Sequence, residues 1–348
     1  MILGNFHNLN IMKAIILAGG QSSRFKPMPD KTTIEFVGKP LIIHRIEDLK
    51  AAGFSDVDIV ASPNNIQEIK GAIREFNHQT SQVFLQDNPH NNGGAVISVP
   101  DEFLQESAMF VCANDTVENY LLDEFNQRIQ DEKPEGLFLG QARKNYFNGG
   151  YLDVNENGFL KSIVEKPGEG NQPSNLINIV YQYYEKPLYF KQTIQSLIEQ
   201  DSFTTTSYQD AIQSMIENDL QIKVHAYSGK WSPIKTPFHA IETGSLLMSN
   251  CDEPFIHESA QVHSSAQITG HTYIGKNVII EEDAKVHSSH ILDGSIVRQS
   301  TLVCDSYLSY DVDTGISNIL IKVVSNKGFI FSNRKLYTNK VYTRSVNS

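Results

Sequence analysis

Two spacings of apolar residues divide this chain. From Lys13 to about Asn250, short apolar runs alternate with amphipathic stretches, and from Ile256 onward an aliphatic returns every six residues. The run Ala14–Ala18 has no polar break and ends in Gly19-Gly20, which predicts a strand buried on both faces. Leu41 to Ala52 predicts a helix with Leu41, Ile42, Ile46 and Leu49 on one face, stopped by Gly53. Strands are predicted at Val57–Ala61, Val83–Leu85 and Met109–Ala113, with a helix at Ile66–Phe76. Gln86 to Ala95 (QDNPHNNGGA) is rich in turn-formers and reads as a loop. Farther on, Gly149–Val154 and Phe159–Val164 flank Asn157-Gly158, a hairpin signal. Leu176–Tyr181 occupies its own segment, and a helix (Ser207–Asn218) and a strand (Ile222–Tyr227) follow. This alternation predicts a doubly wound α/β sheet, whose ligands bind beyond the carboxyl ends of the strands.

The second spacing is of another kind. Ile256, Val262, Ile268, Ile274, Ile280 and Val286 keep strict register, with Ala260, Ala266, Thr272, Val278 and Ala284 two places before the later five. A period of six is neither helical nor that of a simple strand. It fits a left-handed parallel β-helix in which three short strands make each coil. The register slips after His287 (SSHILDGS) and partly resumes at Val297 and Val303. From Leu320 the chain reads as polar and irregular. His257, His263 and His287 follow inward aliphatics and are expected on the exposed face. The expected organisation is a tail at residues 1–11, a first domain at 12–250, the β-helix at 253–324 and a second tail at 325–348.

Charge and composition narrow the function. The chain has 348 residues, 40% hydrophobic and 20% charged, enough for two cores. With 29 basic against 40 acidic side chains the net charge is −11, and no basic block stands out. This argues against a nucleic-acid surface and requires cations to be gathered locally for any anionic substrate. Cys112, Cys251 and Cys304 are far apart, as in a protein of a reducing compartment. No apolar run approaches a membrane span, and Met1–Ile11 lacks a signal-peptide pattern, so a cytoplasmic protein without membrane partners is expected.

The candidate chemistry centres on KAIILAGGQSSRFKPMPDK, Lys13 to Lys31. A glycine turn after a buried strand points successive N–H groups at an anion, and Arg24 and Lys31 add fixed positive charge. Asp115 ends another apolar strand (Met109 to Asp115), where a carboxylate suits a hard cation or, more simply, caps a following helix. Glu165-Lys166-Pro167 ends the predicted hairpin. Neighbouring residues on a strand face opposite ways, so only one of Glu165 and Lys166 enters a given pocket unless the turn at Pro167 rotates them.

The Lys13–Lys31 stretch resembles the signature loop of the sugar-1-phosphate nucleotidylyltransferases. Its seven-residue step from Arg24 to Lys31 is most similar to the N-acetylglucosamine-1-phosphate uridylyltransferase branch. Val37–Phe54 is similar to the segment that follows in that family. The resemblance implies a Rossmann-like mixed sheet carrying a nucleotidyltransferase site. It implies nucleotide binding by Leu17, Ala18, Gly19, Gly20, Gln21, Ser22, Ser23, Gln86 and Gly93, with Arg24 and Lys31 catalytic. It also implies a sugar-phosphate site of Gly150, Glu165, Lys166 and Asn178, and Mg2+ on Asp115. The expected reaction joins an NTP and a sugar 1-phosphate into a nucleotide sugar with release of pyrophosphate. A homo-oligomer, with a trimer favoured, is expected through the β-helix.

Departures from the family pattern fall at Asn91-Asn92, at Ile179 in place of a glycine, and at Trp231–Pro237 (WSPIKTP). There Pro233 stands where the family carries its second metal ligand, and Ser232 or Lys235 are the conceivable substitutes. Two other readings therefore stay open: a nucleotide-sugar-binding regulatory protein, and an acyltransferase acting through the β-helix.

Overall fold

A computed structural model describes residues 12–87, 91–199 and 207–343. The expected N-terminal tail, residues 1–11, lies outside them. The chain divides into two compact units. One comprises the residues up to Gln21 together with Ile42–Trp231, and the other Ser22–Leu41 together with Ser232 onward.

The first unit is built on a mixed sheet. Its elements are β1 (Lys13–Ala18), α1 (Leu41–Ala51), β2 (Asp56–Ala61), α2 (Ile66–Glu75), β3 (Val83–Leu85), α3 (Asn91–Ile97), β4 (Ala108–Cys112), β5 (Asp115–Val117) and α4 (Asn119–Glu132). These are followed by β6 (Gly136–Ala142), β7 (Gly150–Val154), β8 (Leu160–Glu165), β9 (Leu176–Tyr184), α5 (Pro187–Glu199), α6 (Ser207–Glu217) and β10 (Ile222–Tyr227). The strand order is β8-β7-β9-β4-β1-β2-β3, with β6 pairing both β9 and β10. β1, β2, β3 and β4 are parallel, whereas β9 runs antiparallel to β4 and β6.

Side-chain alternation explains the layers. Ala14, Ile16 and Ala18 of β1 face α1, α2 and α4, while Ile15 and Leu17 face α3, α5 and α6. Both faces are covered, so the strand reads as an unbroken apolar run. One expectation is overturned here: Asn91-Asn92-Gly93-Gly94-Ala95 is not a loop but the start of α3. Its sequence favours turns, and burial of Ala95, Val96 and Val99 overrides that preference. The hairpin forms as expected, with Asn155 Oδ1 accepting from the backbone N–H of Asn157 (2.9 Å) and Phe159 (3.0 Å).

The second unit is mostly short parallel strands in a curled sheet. From Phe255 to Leu308 the short strands pair with the one three strands later, and Leu302–Cys304 and Tyr307–Leu308 then both pair with Ile319–Ser325. The step is eighteen residues at first (Phe255 with Tyr273, Gln261 with Ile279, Gln267 with Lys285) and seventeen afterwards (Tyr273 with His290, Leu302 with Ile319). The lost residue accounts for the slip after His287. Ile274, Ile280 and Val286 are buried as the spacing predicts, but Ile256 and Val262 are 44% and 39% exposed, because no earlier strand covers them.

The stretch from Leu320, expected to be polar and irregular, instead contributes strands Ile319–Ser325 and Leu336–Tyr342, paired in parallel. Leu320, Val323 and Val324 are fully buried. Segment Ser22–Leu41 packs into this same unit. Phe25, Met28, Ile34 and Phe36 join a core with Tyr273, Leu292 and Tyr307, and the Tyr307 hydroxyl donates to Glu35 O at 2.9 Å.

Candidate active site

The end of β1 is fixed by Asn65, which donates to Ala18 O (2.9 Å) while its own Oδ1 accepts from Ser62 N–H and Oγ–H. Leu17 and Ala18 are buried, and the Leu17 carbonyl accepts from Ala113 N–H at 3.1 Å. A Cβ on Gly19 would lie 1.5 Å from Oε1 of Gln86, so a side chain there would require Gln86 to move, and these two candidate nucleotide residues are brought together. Gln86 is anchored by its N–H to Ala61 O at 2.8 Å. Gly93 is buried within α3.

Ser22, Ser23, Arg24 and Lys31 belong to the second unit. Ser22 takes a left-handed backbone (φ 50°) and its hydroxyl donates to Asp30 Oδ2 at 2.7 Å. The Lys31 N–H donates back to Ser22 Oγ at 3.3 Å, and Asp30 Oδ1 accepts from Thr32 N–H at 2.9 Å. Asp30 thus folds the stretch so that Ser22 and Lys31 meet. Arg24 is exposed and Lys31 half-buried.

Asp115 lies at the start of β5, 7% exposed. It does not cap α4, whose N-cap is Glu118. Its carbonyl accepts from the Tyr181 hydroxyl (2.9 Å) and from Arg45 Nη1 (3.3 Å). Arg45 is fully buried and pairs with Asp48 at 2.6 Å. Burial presses it toward neutrality, but Asp48 and Tyr181 outweigh that effect and its pKa is raised. Burial also pushes the Tyr181 hydroxyl up to about 12, so it stays a donor. The Asp115 carboxylate accepts from Trp231 Nε1 at 3.3 Å. Neither Arg45 nor Asn65 was visible as a site residue, because each acts on a backbone carbonyl far away in sequence.

On the sugar side, Gly150 pairs with Glu165 across the hairpin. A Cβ on Gly150 would lie 3.0 Å from Glu165 Oε2 and 3.7 Å from Asn178 Cβ, so these three candidates converge. Lys166 has φ +47°, which rotates it relative to Glu165, and its Nζ lies 3.5 Å from Glu165 Oε1. Its N–H donates to Gly149 O at 3.1 Å. Asn178 Oδ1 accepts from Gln182 Nε2 (3.0 Å), and Gln182 Oε1 accepts from the Tyr208 hydroxyl (2.6 Å). Arg143 lies over Phe147 and Trp231.

Pro233 lies in the buried strand Trp231–Pro233, and Ser232 is hydrogen-bonded to Thr243 through their hydroxyls at 2.8 Å. Among the described residues no cluster of three or more His, Cys, Asp or Glu could hold a metal. His257 and His263 hydrogen-bond Ser259 and Ser265, and His287 bonds Thr269. No described helix is long and apolar enough to cross a membrane.

Comparison with known proteins gives two matched regions, nucleotidyl transferase over residues 13–237 and GMPPB C-terminal domain over 251–331. A bifunctional sugar-1-phosphate nucleotidylyltransferase/acetyltransferase of Sulfurisphaera tokodaii is 28% identical over 80% of this chain, which spans 64% of that relative's length. A glucose-1-phosphate thymidylyltransferase of Streptomyces griseus is 21% identical (85% of this chain, 81% of the relative). A probable mannose-1-phosphate guanylyltransferase 3 of Oryza sativa subsp. japonica is 20% identical (93% and 97%). With a glycine turn packed on Gln86, and with Gly150, Glu165 and Asn178 converging, the chain belongs to the nucleotidyl transferase family.

Proposed function

We propose that this protein transfers a nucleotidyl group from an NTP to a sugar 1-phosphate. The observation that carries this reading is the convergence of Glu165 and Asn178 on Gly150, with Lys166 turned alongside by its left-handed backbone. A phosphate oxygen of the sugar 1-phosphate attacks the α-phosphorus, a new P–O bond forms, and the bond from the α-phosphorus to the bridging oxygen breaks, releasing pyrophosphate. The protein's work is to hold two anions in line and offset their charge. The Gly19–Arg24 loop and Arg24 hold the departing phosphates, Lys31 balances charge at the α-phosphoryl group, and Lys166 with Glu165 seats the sugar phosphate. Gly20, Gln21 and Ser23 serve through the loop's backbone.

A lone carboxylate fits Mg2+ that arrives on the triphosphate, since this ion is commonly held by one or two carboxylates plus substrate phosphates. Asp115 would hold it, and when bound it polarises the phosphoryl oxygens. The six-residue spacing supports a left-handed sense for the coiled second unit, and the three free cysteines support a cytoplasmic setting. Likeness to the uridylyltransferase branch rests on the Arg24–Lys31 step. The test is pyrophosphate release from ATP, CTP, GTP, UTP and dTTP with several sugar 1-phosphates and Mg2+. At least one pair is expected to turn over, and silence across the panel would overturn the activity.

Pro233 favours a second reading, a nucleotide-sugar-binding protein without turnover. Here the Pro233→Asp, Lys235→Gly double variant decides. On the catalytic reading the parent is active at high Mg2+ and the variant needs less. On the second reading the parent binds nucleotide sugar without releasing pyrophosphate, and the double variant gains release. A fully active parent at ordinary Mg2+, unmoved by either change, removes Pro233 from the metal argument.

A further inference from the structure

We infer that Arg143 is an additional phosphate anchor, binding the phosphate group of the sugar 1-phosphate, an inference that rests on the proposed substrate class. Arg143 is the first residue after β6, on the loop that leads into Gly150. Its backbone N–H donates to Asn175 O at 2.9 Å, and its Nε donates to Gln141 Oε1 at 3.0 Å. Gln141 is itself fixed by its Nε2 donating to Gly229 O at 2.9 Å. The guanidinium carbon lies 5.2 Å from the Phe147 ring centre and 5.3 Å from that of Trp231, within cation–π range of both.

Three other arginines of this chain are neutralised by carboxylates. Arg45 pairs with Asp48, Arg128 with Glu132, and Arg298 with Glu281 and Asp313. Arg143, by contrast, is held by two aromatic faces and a neutral amide, and among the described residues no carboxylate pairs with it. Its charge is thus fixed in place yet left for a ligand. A purely packing role would satisfy the aromatic contacts alone. What argues for more is the position of its two aromatic holders. The Trp231 indole donates to Asp115 Oδ1. Phe147 lies against Gly149, where a Cβ would come within 2.8 Å of its ring, and Gly149 O accepts from the Lys166 N–H. Arg143 is thus linked through Trp231 to the Asp115 carboxylate, and through Phe147 to the Gly149 backbone that holds Lys166. A guanidinium fork suits two oxygens of a phosphate monoester, which the ammonium of Lys166 meets only as a point charge.

Trp231 is the chain's single tryptophan, so its fluorescence reports on this contact directly. The full chain is titrated with the 1-phosphates of glucose, mannose and N-acetylglucosamine, with inorganic phosphate, and with the three free sugars. A saturable fluorescence change is expected with at least one phosphate ester and none with its free sugar. Arg143→Gln should weaken that binding about tenfold, the equivalent of one charge-assisted pair, with Arg143→Lys in between. In turnover, KM for the sugar 1-phosphate should rise about as much while KM for the NTP stays unchanged. Because the titration needs no turnover, it judges Arg143 even if the nucleotidyl transfer assay is silent. Superimposable titrations for parent and Arg143→Gln, an equal response to the free sugar, or no response to any phosphate compound would overturn the inference. If the glutamine variant fails to fold, a lysine variant that binds like the parent would show that the fork is not used.

Discussion

At the scale of single residues, the candidate site separates charge that meets substrate from charge that holds backbone. Arg45 and Tyr181 serve the second purpose, both donating to the carbonyl of Asp115 from beneath. Truncating Arg45 alone would leave Asp48 in a mostly buried place without its partner. Arg24 and Lys31 serve the first purpose on the proposed reading. Ser22, held by Asp30 and contacted by the Lys31 N–H, ties the two ends of their loop together without using either charged head. Arg24→Ala and Lys31→Ala are therefore expected to fold normally. Each should lower turnover by about a hundredfold or more, the cost of a lost transition-state contact of about 3 kcal/mol. Pyrophosphate release by the purified variants, alongside their melting temperatures, checks this. Near-parental rates in both would take the triphosphate away from this loop.

At the scale of elements, α4 and β10 are joined by Glu132, which accepts from Arg128 on its own helix (2.7 Å) and from Lys223 on β10 (2.7 Å). Hydrogen bonds from Arg128 and Lys223 draw its carboxyl down from an ordinary 4.5 to about 2. The folded state thus holds this proton less tightly than the unfolded chain does. The resulting stability is complete above pH 4.5 and fades as pH falls toward 2. Glu132→Gln should flatten the fall in melting temperature over that window and lower the melting temperature near neutrality. An unchanged acid profile would show that the clamp is idle. Elements like these were legible wherever one residue type carries the signal. The unbroken run of β1 predicted a doubly covered strand, Asn157-Gly158 predicted the hairpin, and β10 begins and ends where the pattern places it. α3 was not legible, because Asn-Asn-Gly-Gly disfavours a helix that only packing can impose. The strands after Leu320 were missed because the pairing step shortens from eighteen to seventeen, which breaks a strict six-residue spacing. In the candidate site, Gly19 stands out from local chemistry, and Gln86, Glu165 and Lys166 from the resemblance to the family. Arg143 and Arg45 do not, since their meaning lies in partners distant along the chain, Trp231 and Asp115.

At the scale of the whole molecule, a net charge of −11 opposes self-association, and an exposed apolar surface is one way to offset it. The coiled second unit offers one. Leu302, Ile319 and Leu336 are register partners on successive strands, and Ile319 and Leu336 remain 42% and 66% exposed. Alternation makes the contrast clear, because Leu320, the next residue after Ile319, is fully buried. Ile330, 69% exposed, and Ile316, 41%, add to the outward apolar surface of this unit. We propose that the second unit is a coil of three strands per turn with three flat faces and that this surface pairs copies of the chain, with a trimer as the favoured state. Sedimentation of the full chain at micromolar concentration should give a trimer. The double variant Ile319→Glu, Leu336→Glu should sediment as a monomer with a melting temperature close to the parental one, since each change touches an exposed position costing about 0.5 kcal/mol or less in the folded monomer. A parental chain that stays monomeric, or a double variant that stays assembled, would exclude this column as the interface.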